Sequence, residues 1–439
     1  MKYGGFPYKS IQEIESAAHS LKIELPFSLD YSCLGHPVKG KNFRLYNALV
    51  VQPMEGCDSE QDGSPGEMTF RRYLRLARGG AGLIWMEAIA VTQESRANPR
   101  QLMITDGNLD VFSRLVREIK ATAMEAWGVE PLLIAQLTHS GRWSRPEGSP
   151  APIRACKDSV LDTHQQLPDT YPVISDQEIK ETERAIAAAA VYCREAGFDG
   201  VDLKACHLYL YSEMLGAHER IGIYGGSYEN RTRMMLETTE MVMKAVGKDF
   251  IIATRLNVHD NTAGHWGNDV EGKPDYTEPL KLMGDLIRRG ETLFNITMGT
   301  PYYNPHINRP YARGGYEPPE DPLIGVARLM DGARVMQQAY PDAVCVATGF
   351  SYMREFSAAL AAGIISNGWA KAVGFGRQSL ADPSFANHIL HHGGIPKDKL
   401  CLACGKCTML MRAGYITGCP VRDQEVYLPL YRKLIGGKE

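Results

Sequence analysis

Short apolar runs alternate along the chain with longer amphipathic stretches. The runs are "NALVVQPM", "GLIWMEAIAV", "PLLIAQLTH", "GVDLKACH", "FIIATRLNV", "LFNITMG", "AVCVATGF" and "AVGFGRQSL". Each is apolar or β-branched along its length, as expected of a strand buried on both faces. The stretches between them carry a helical period, as in "SDQEIKETERAIAAAAVYCREAG" and "SYENRTRMMLETTEMVMKAVG". The second predicts a helix with Ser227 as its N-cap, and both run to a glycine stop. Eight strand–helix units predict an α/β fold, a (β/α)8 TIM barrel. An open doubly wound sheet competes, but no GxGxxG follows the first run. Residues 1–45 read as a preamble closing the bottom of the barrel. The predicted division is a barrel over 1–393 and a short cysteine-bearing extension over 394–439.

Composition narrows the class. With 44% hydrophobic and 23% charged residues, the 439-residue chain can bury a large core. A formal charge of −3 gives no general attraction to nucleic acid or anionic lipid. No apolar run approaches the roughly 18 residues of a membrane span, and the N-terminus lacks the apolar core of a secretory signal. The expected location is the cytoplasm. Six of the ten cysteines (Cys33, Cys57, Cys156, Cys193, Cys206, Cys345) are scattered and expected to be reduced. The other four form a pattern: Cys401, Cys404 and Cys407 as CxxCxxC, then eleven residues, then Cys419-Pro.

Polar residues cluster at one end of the runs. Glu55, Glu87, Gln136, His139, Lys204, His207, Arg255 and Arg377 all fall at or just past a C-terminal end, which in a barrel is the mouth where active sites assemble. A single strand-end polar residue reaching water is ordinary; eight on one rim point to an enzyme. The last two runs end in "ATGF" and "GFGRQ", where glycines let backbone N–H groups approach an anion and Arg377 can pair with it. Arg255, at the end of the fifth run, offers a fixed cation to an electron-rich ring.

Several blocks carry a resemblance in order and spacing over nearly the whole chain: "PMEGCDSEQDGSPGEMTFRRYLRLARGGAGLIWMEAIAV", "QLTHSGR", "YGGSYENRTRMMLE", "ATGF" and "GFGRQSLADP". The chain resembles the old yellow enzyme family of FMN-dependent oxidoreductases. The terminal cysteines resemble the iron–sulfur segment of its 2,4-dienoyl-CoA reductase and trimethylamine dehydrogenase branch. Those relatives continue into FAD- and NAD-type domains that this sequence does not include. The resemblance implies an FMN ring against Pro53, Met54, Glu55, Ala88, Gln136 and Arg255, and an FMN phosphate against Gly349, Phe350, Gly376 and Arg377. It also implies a substrate-facing set in "VDLKACHLYLYSEML". Lys204 stands where the family has the first histidine of a carbonyl-binding pair, His207 matches the second, and Tyr209 occupies the position of the proton donor.

That chemistry asks for cations hydrogen-bonded to a carbonyl oxygen and for a phenol able to protonate the α-carbon. Lysine in place of histidine suggests a more strongly anionic oxygen in the substrate, although Lys204 could also simply pair with Asp202 or a rim acid. Glu55 departs from the family's usual Thr or Cys, and either faces the flavin edge or turns into the loop. Cys57 lies two residues too late for a covalent flavin bond. For the four terminal cysteines the expectation is a [4Fe–4S] cluster, with zinc or free thiols as alternatives. A cluster beside a flavin would relay single electrons to or from a separate electron-transfer protein or an NAD(P)H-oxidising partner. The expected enzyme is an ene-reductase acting on an activated C=C bond. The alternatives are an amine or alcohol dehydrogenase, and a non-redox lyase with Lys204 as Schiff-base nucleophile and a structural zinc.

Overall fold

A computed structural model describes residues 5–262, 264–311 and 316–436. A small antiparallel hairpin, β1 (Val38–Lys39) and β2 (Arg44–Leu45), precedes eight strands: β3 (Leu49–Val51), β4 (Leu83–Ala90), β5 (Leu132–Thr138), β6 (Gly200–Leu203), β7 (Ile251–Asn257), β8 (Leu293–Thr297), β9 (Val344–Thr348) and β10 (Ala372–Phe375). These eight are parallel and close into a barrel, with β10 pairing β3. The fold is the (β/α)8 TIM barrel that the alternation predicts.

Each strand leads into an outer helix, and local sequence sets where those helices start. Ser175 opens the helix Asp176–Glu195 with a reciprocal cap, its Oγ accepting from Glu178 N at 3.2 Å while Ser175 N donates to the Glu178 carboxylate at 2.7 Å. Ser227 caps Tyr228–Val246 by accepting from Asn230 N at 3.3 Å. Gly247, at φ +78°, ends that helix as expected. The helix Asp176–Glu195 ends two residues before its glycine, Gly197, with Ala196 as the cap.

Inside the barrel, Val50, Leu83, Trp85, Ile134, Ile251, Leu293, Val344 and Ala372 form a separate apolar cluster with Val38, Phe43 and Leu45 of the hairpin. Most of these strand residues are the first of their strand, so the hairpin plugs the N-terminal end and the preamble closes the bottom. One charged group sits within this interior. Asp202 on β6 is fully buried and accepts from Trp85 Nε1 (2.8 Å), Gln136 Nε2 (2.6 Å) and Arg255 N (2.6 Å). Burial raises its pKa to about 6 against the opposing pull of the three donors, which favour the ionised form.

The C-terminal segment packs on the rim of the barrel. Gln378, just after β10, donates to Lys399 O at 3.1 Å and accepts from Cys401 N at 2.8 Å. Thr417 N donates to Gly56 O at 2.6 Å, and Asp423 pairs with Arg71 (2.8 Å) and Arg75 (2.9 Å).

Trp85→Phe keeps an aromatic ring, though a smaller one, and strips one donor from the buried Asp202. It should destabilise the protein by about 2 kcal/mol, read as a lower urea midpoint with an unchanged slope.

Candidate active site

The turn after β6 carries three of the expected site residues. His207 and Leu208 both adopt left-handed backbone, φ +67° and +55°, which costs non-glycine residues about 1–3 kcal/mol each. The loop after β8 fastens this turn, Thr300 Oγ1 donating to His207 O at 2.9 Å. The result brings Lys204, His207 and Tyr209 onto one wall of a cavity at the barrel mouth.

That cavity encloses about 910 Å³, counting the space at its open mouth. It is lined by Pro53, Met54, Glu55, Gln136, Lys204, His207, Tyr209, Arg255, Gly349, Gly376 and Arg377, so eleven of the thirteen residues assigned to flavin or substrate in the sequence share one space. The other two lie elsewhere. Ala88 is buried in the wall beside Gln136, and the Phe350 side chain stacks on Phe375 in the core, with ring centroids 5.2 Å apart. Two rim residues are also corrected. β4 has an irregularity between Trp85 and Ala88, and Glu87 points away from the mouth to bind Arg72, Tyr73 OH and Gly56 N. His139 is buried and accepts from Gly141 N at 3.1 Å; burial lowers its pKa to about 4, so it is neutral.

Charge in the cavity also differs from expectation. Burial and the cations Arg255, Lys204 and Arg309 hold His207 far below the usual histidine range. Its Nε2 accepts from Asn308 Nδ2 at 3.0 Å, so a neutral imidazole carries its proton on Nδ1. Lys204 makes no ion pair with Asp202, whose oxygens are taken by other donors. Its ammonium lies 3.7 Å from the centre of the Tyr209 ring, a cation–π contact. Burial lowers the Lys204 pKa, while Glu55 acts to raise it. Glu55 faces the cavity rather than the loop, within the electrostatic reach of Lys204 and Tyr209.

Sequence reasoning missed several lining residues. Gln52 immediately precedes the Pro-Met step and was legible as the polar end of a buried run. Tyr302, Asn308 and Arg309 come from the loop after β8; adjacent tyrosines in "TPYYNPHINRPY" were the available signal. Tyr302 OH lies 2.7 Å from Tyr209 OH, and its ring stacks on Trp143 at 4.6 Å.

The four terminal cysteines lie beside this cavity. Cys401 and Cys419 are raised to about 11 and about 12 by burial, and each feels the charge of Cys407. Arg377 acts on Cys401, and Arg309 is affected by Cys407. Among the described residues, no three His, Cys, Asp or Glu side chains converge closely enough to hold a metal ion. The four thiols are neighbours of the right chemistry for a cluster but do not form a closed ligand cage.

The sequence profile of the NADH:flavin oxidoreductase / NADH oxidase family matches residues 34–295. An NADPH dehydrogenase of Bacillus velezensis is 34% identical over 252 residues, covering 56% of this chain and 70% of that protein. The chain belongs to the NADH:flavin oxidoreductase / NADH oxidase family. Two solved structures share the fold. A 2-naphthoyl-CoA reductase in complex with 2-naphthoyl-CoA matches with a TM-score of 0.73 at 20% identity, over 91% of this chain and 58% of that one. An old yellow enzyme homologue from Zymomonas mobilis matches with a TM-score of 0.64 at 20% identity, over 89% and 98%. This chain therefore spans just over half of the naphthoyl-CoA reductase chain. The protein is an oxidoreductase of the NADH:flavin oxidoreductase type, which sets the lyase alternative aside. No helix among the described residues is long and apolar enough to cross a membrane.

FMN is the cofactor this family implies, and the donors present suit it. Gln52 Nε2 and Arg255 Nε are buried beside the cavity with no hydrogen-bond partner among the described residues, as donors facing a heteroaromatic ring would be. At the other end Arg377 stands beside Gly376, where an added Cβ would come within 3.0 Å of Met54 Sδ. Gly349 has φ +113°, which favours glycine there.

The loop between β3 and its helix is anchored by Arg72, which binds both Asp58 and Glu87 in a buried cluster. Arg72→Met would leave two carboxylates facing each other without their cation. Such a change should cost about 3–5 kcal/mol, measured as a loss of stability in urea, with a parallel fall in flavin retention because the same loop carries Met54.

Proposed function

We propose that the protein is an FMN-dependent ene-reductase, acting on a C=C bond activated by a carbonyl or carboxylate group. The observation that carries this reading is the convergence of Lys204, His207 and Tyr209 on one wall of a single cavity. In the proposed arrangement Pro53, Met54, Gln52, Gln136 and Arg255 hold the FMN ring, and Gly349, Gly376 and Arg377 hold its phosphate. Glu55 is left out of that set because it faces Lys204 and Tyr209. When bound, FMN supplies the hydride for the β-carbon.

The chain's own residues supply the rest. Lys204 and the Nδ1–H of neutral His207 bind the substrate oxygen and stabilise the charge that develops on it. Tyr209 gives its proton to the α-carbon. Burial and nearby Glu55 and Tyr302 keep its hydroxyl protonated well beyond neutral pH, which suits a donor that must hold its proton until the carbanion forms. With Glu55 rather than a second cation beside Lys204, the wall favours a carbonyl over a free carboxylate.

We also propose that Cys401, Cys404, Cys407 and Cys419 hold a [4Fe–4S] cluster, which would pass single electrons between the flavin and a separate electron-transfer protein or NAD(P)H-oxidising partner. Charge supports an anionic occupant there. Arg309, Arg354, Arg377, Arg412 and Arg422 ring the segment, and their hydrogen bonds among the described residues go to carbonyl oxygens or to Thr408 rather than to carboxylates. The second reading is oxidation of an amine, favoured by Glu55, the one carboxyl among the described residues lining the cavity.

Tyr209→Phe should leave reduction of the flavin normal and slow alkene reduction by on the order of 10²-fold or more. Stopped-flow comparison of the two half-reactions checks it; equal damage to both would make Tyr209 a shaping residue, and bleaching by a saturated amine would favour the second reading. Anaerobic purification should give non-covalent FMN and about four irons with matching acid-labile sulfide per chain. One zinc without sulfide would remove the cluster.

A further inference from the structure

Two positions in the cavity depart from the family's usual residues, and they face each other. Lys204 replaces a histidine and Glu55 replaces a small hydroxyl or thiol. Tyr209 shares the cavity wall with both: Lys204 Nζ is 3.7 Å from its ring centre, Glu55 lines the same cavity within its electrostatic reach, and Tyr302 OH is 2.7 Å from its OH. Tyr209 is 1% exposed, so its phenol has little direct access to water. Glu55, by contrast, is partly open to the cavity.

We propose that Glu55 is the acid that returns a proton to Tyr209 after each turnover, with Tyr302 holding the phenol in line. The proposal rests on the reading of Tyr209 as proton donor. Once hydride has reached the β-carbon, the Tyr209 O–H bond breaks as the α-carbon C–H bond forms, leaving a phenolate. The Glu55 carboxyl gives its proton to that phenolate, and the resulting carboxylate takes one from water at the cavity mouth. No electrons move in either transfer; both arrived with the hydride. The net change is one solvent proton consumed per alkene.

The groups facing Glu55 decide whether it can be an acid. They are Lys204 after β6, Tyr209 in the same turn, Tyr302 after β8, Cys57 in its own loop and Glu87 on β4. Desolvation raises its pKa and outweighs the opposing pull of Lys204 and Tyr209. The acid form therefore persists to higher pH than in an exposed glutamate, and is lost as pH rises through that raised value.

Glu55→Gln keeps the shape and removes the transferable proton. In the FMN-loaded protein, its first turnover should match the unsubstituted enzyme, because Tyr209 starts protonated. Later turnovers should slow by roughly 10- to 100-fold, giving a burst. The fall in steady-state rate with rising pH should disappear with it, and Glu55→Asp should restore part of the rate. An ultraviolet titration of the flavin-free protein gives a reading independent of turnover. Glu55→Gln should move one tyrosine ionisation to lower pH, and the double variant with Tyr209→Phe should lack that transition. Equal slowing of first and later turnovers, or no slowing of either, overturns the proposal. Tyr209→Phe run alongside separates the two readings: a normal first turnover in that variant would mean that Tyr209 is not the donor, whatever Glu55→Gln shows.

Discussion

The Asp202 carboxylate ties four strands together below the cavity. From β6 it accepts from a side chain on β4, a side chain on β5 and the backbone of β7. A buried carboxylate is tolerable only with such partners. The consequence reaches upward. Gln136 is held in place for the cavity floor, the β7 backbone is fixed at Arg255, and Lys204 follows two residues along the same strand end with no claim on Asp202. Lys204 is thus free to lie over the Tyr209 ring.

The same logic of shared polar groups joins the extension to the barrel. Gln378 follows Arg377 and binds the backbone on both sides of Leu400, while Thr417 reaches the carbonyl of Gly56. The cysteine segment is therefore positioned by residues flanking the ends of β10 and β3, the two strands whose loops also line the cavity. Sequence separation between these contacts exceeds three hundred residues at Gly56, yet the barrel brings them together because its first and last strands are paired. Closure of the barrel is what puts thiols beside a flavin-type pocket.

Charge inside the pocket follows burial more than residue type. A histidine surrounded by Arg255, Lys204 and Arg309 stays neutral, and a lysine facing a glutamate shares its field with it. An oxygen-binding wall expected to carry two cations instead carries one cation, a neutral donor and a nearby carboxyl group. In the proposed ene-reduction, that distribution suits a polar, neutral substrate oxygen that gains charge only as the reaction proceeds, which is where hydrogen-bond donors do most to lower a barrier.

The sequence by itself determined the barrel, because strands buried on both faces must be apolar throughout and amphipathic helices must alternate with them. The cap residue Ser227 and the glycine stops marked helix ends to within two residues. It also determined most of the cavity wall, since residues at strand ends in a TM barrel must face one mouth. Tertiary structure decided what strand-end position alone does not specify. An irregularity in β4 turned Glu87 outward, and packing sent the Phe350 ring into the core. Tyr302, Asn308 and Arg309 entered the site from a long loop whose path has no periodic signature. The pairing of Glu55 with Lys204 across Tyr209 spans about 150 residues of chain, and only the closed barrel brings such distant side chains within each other's field.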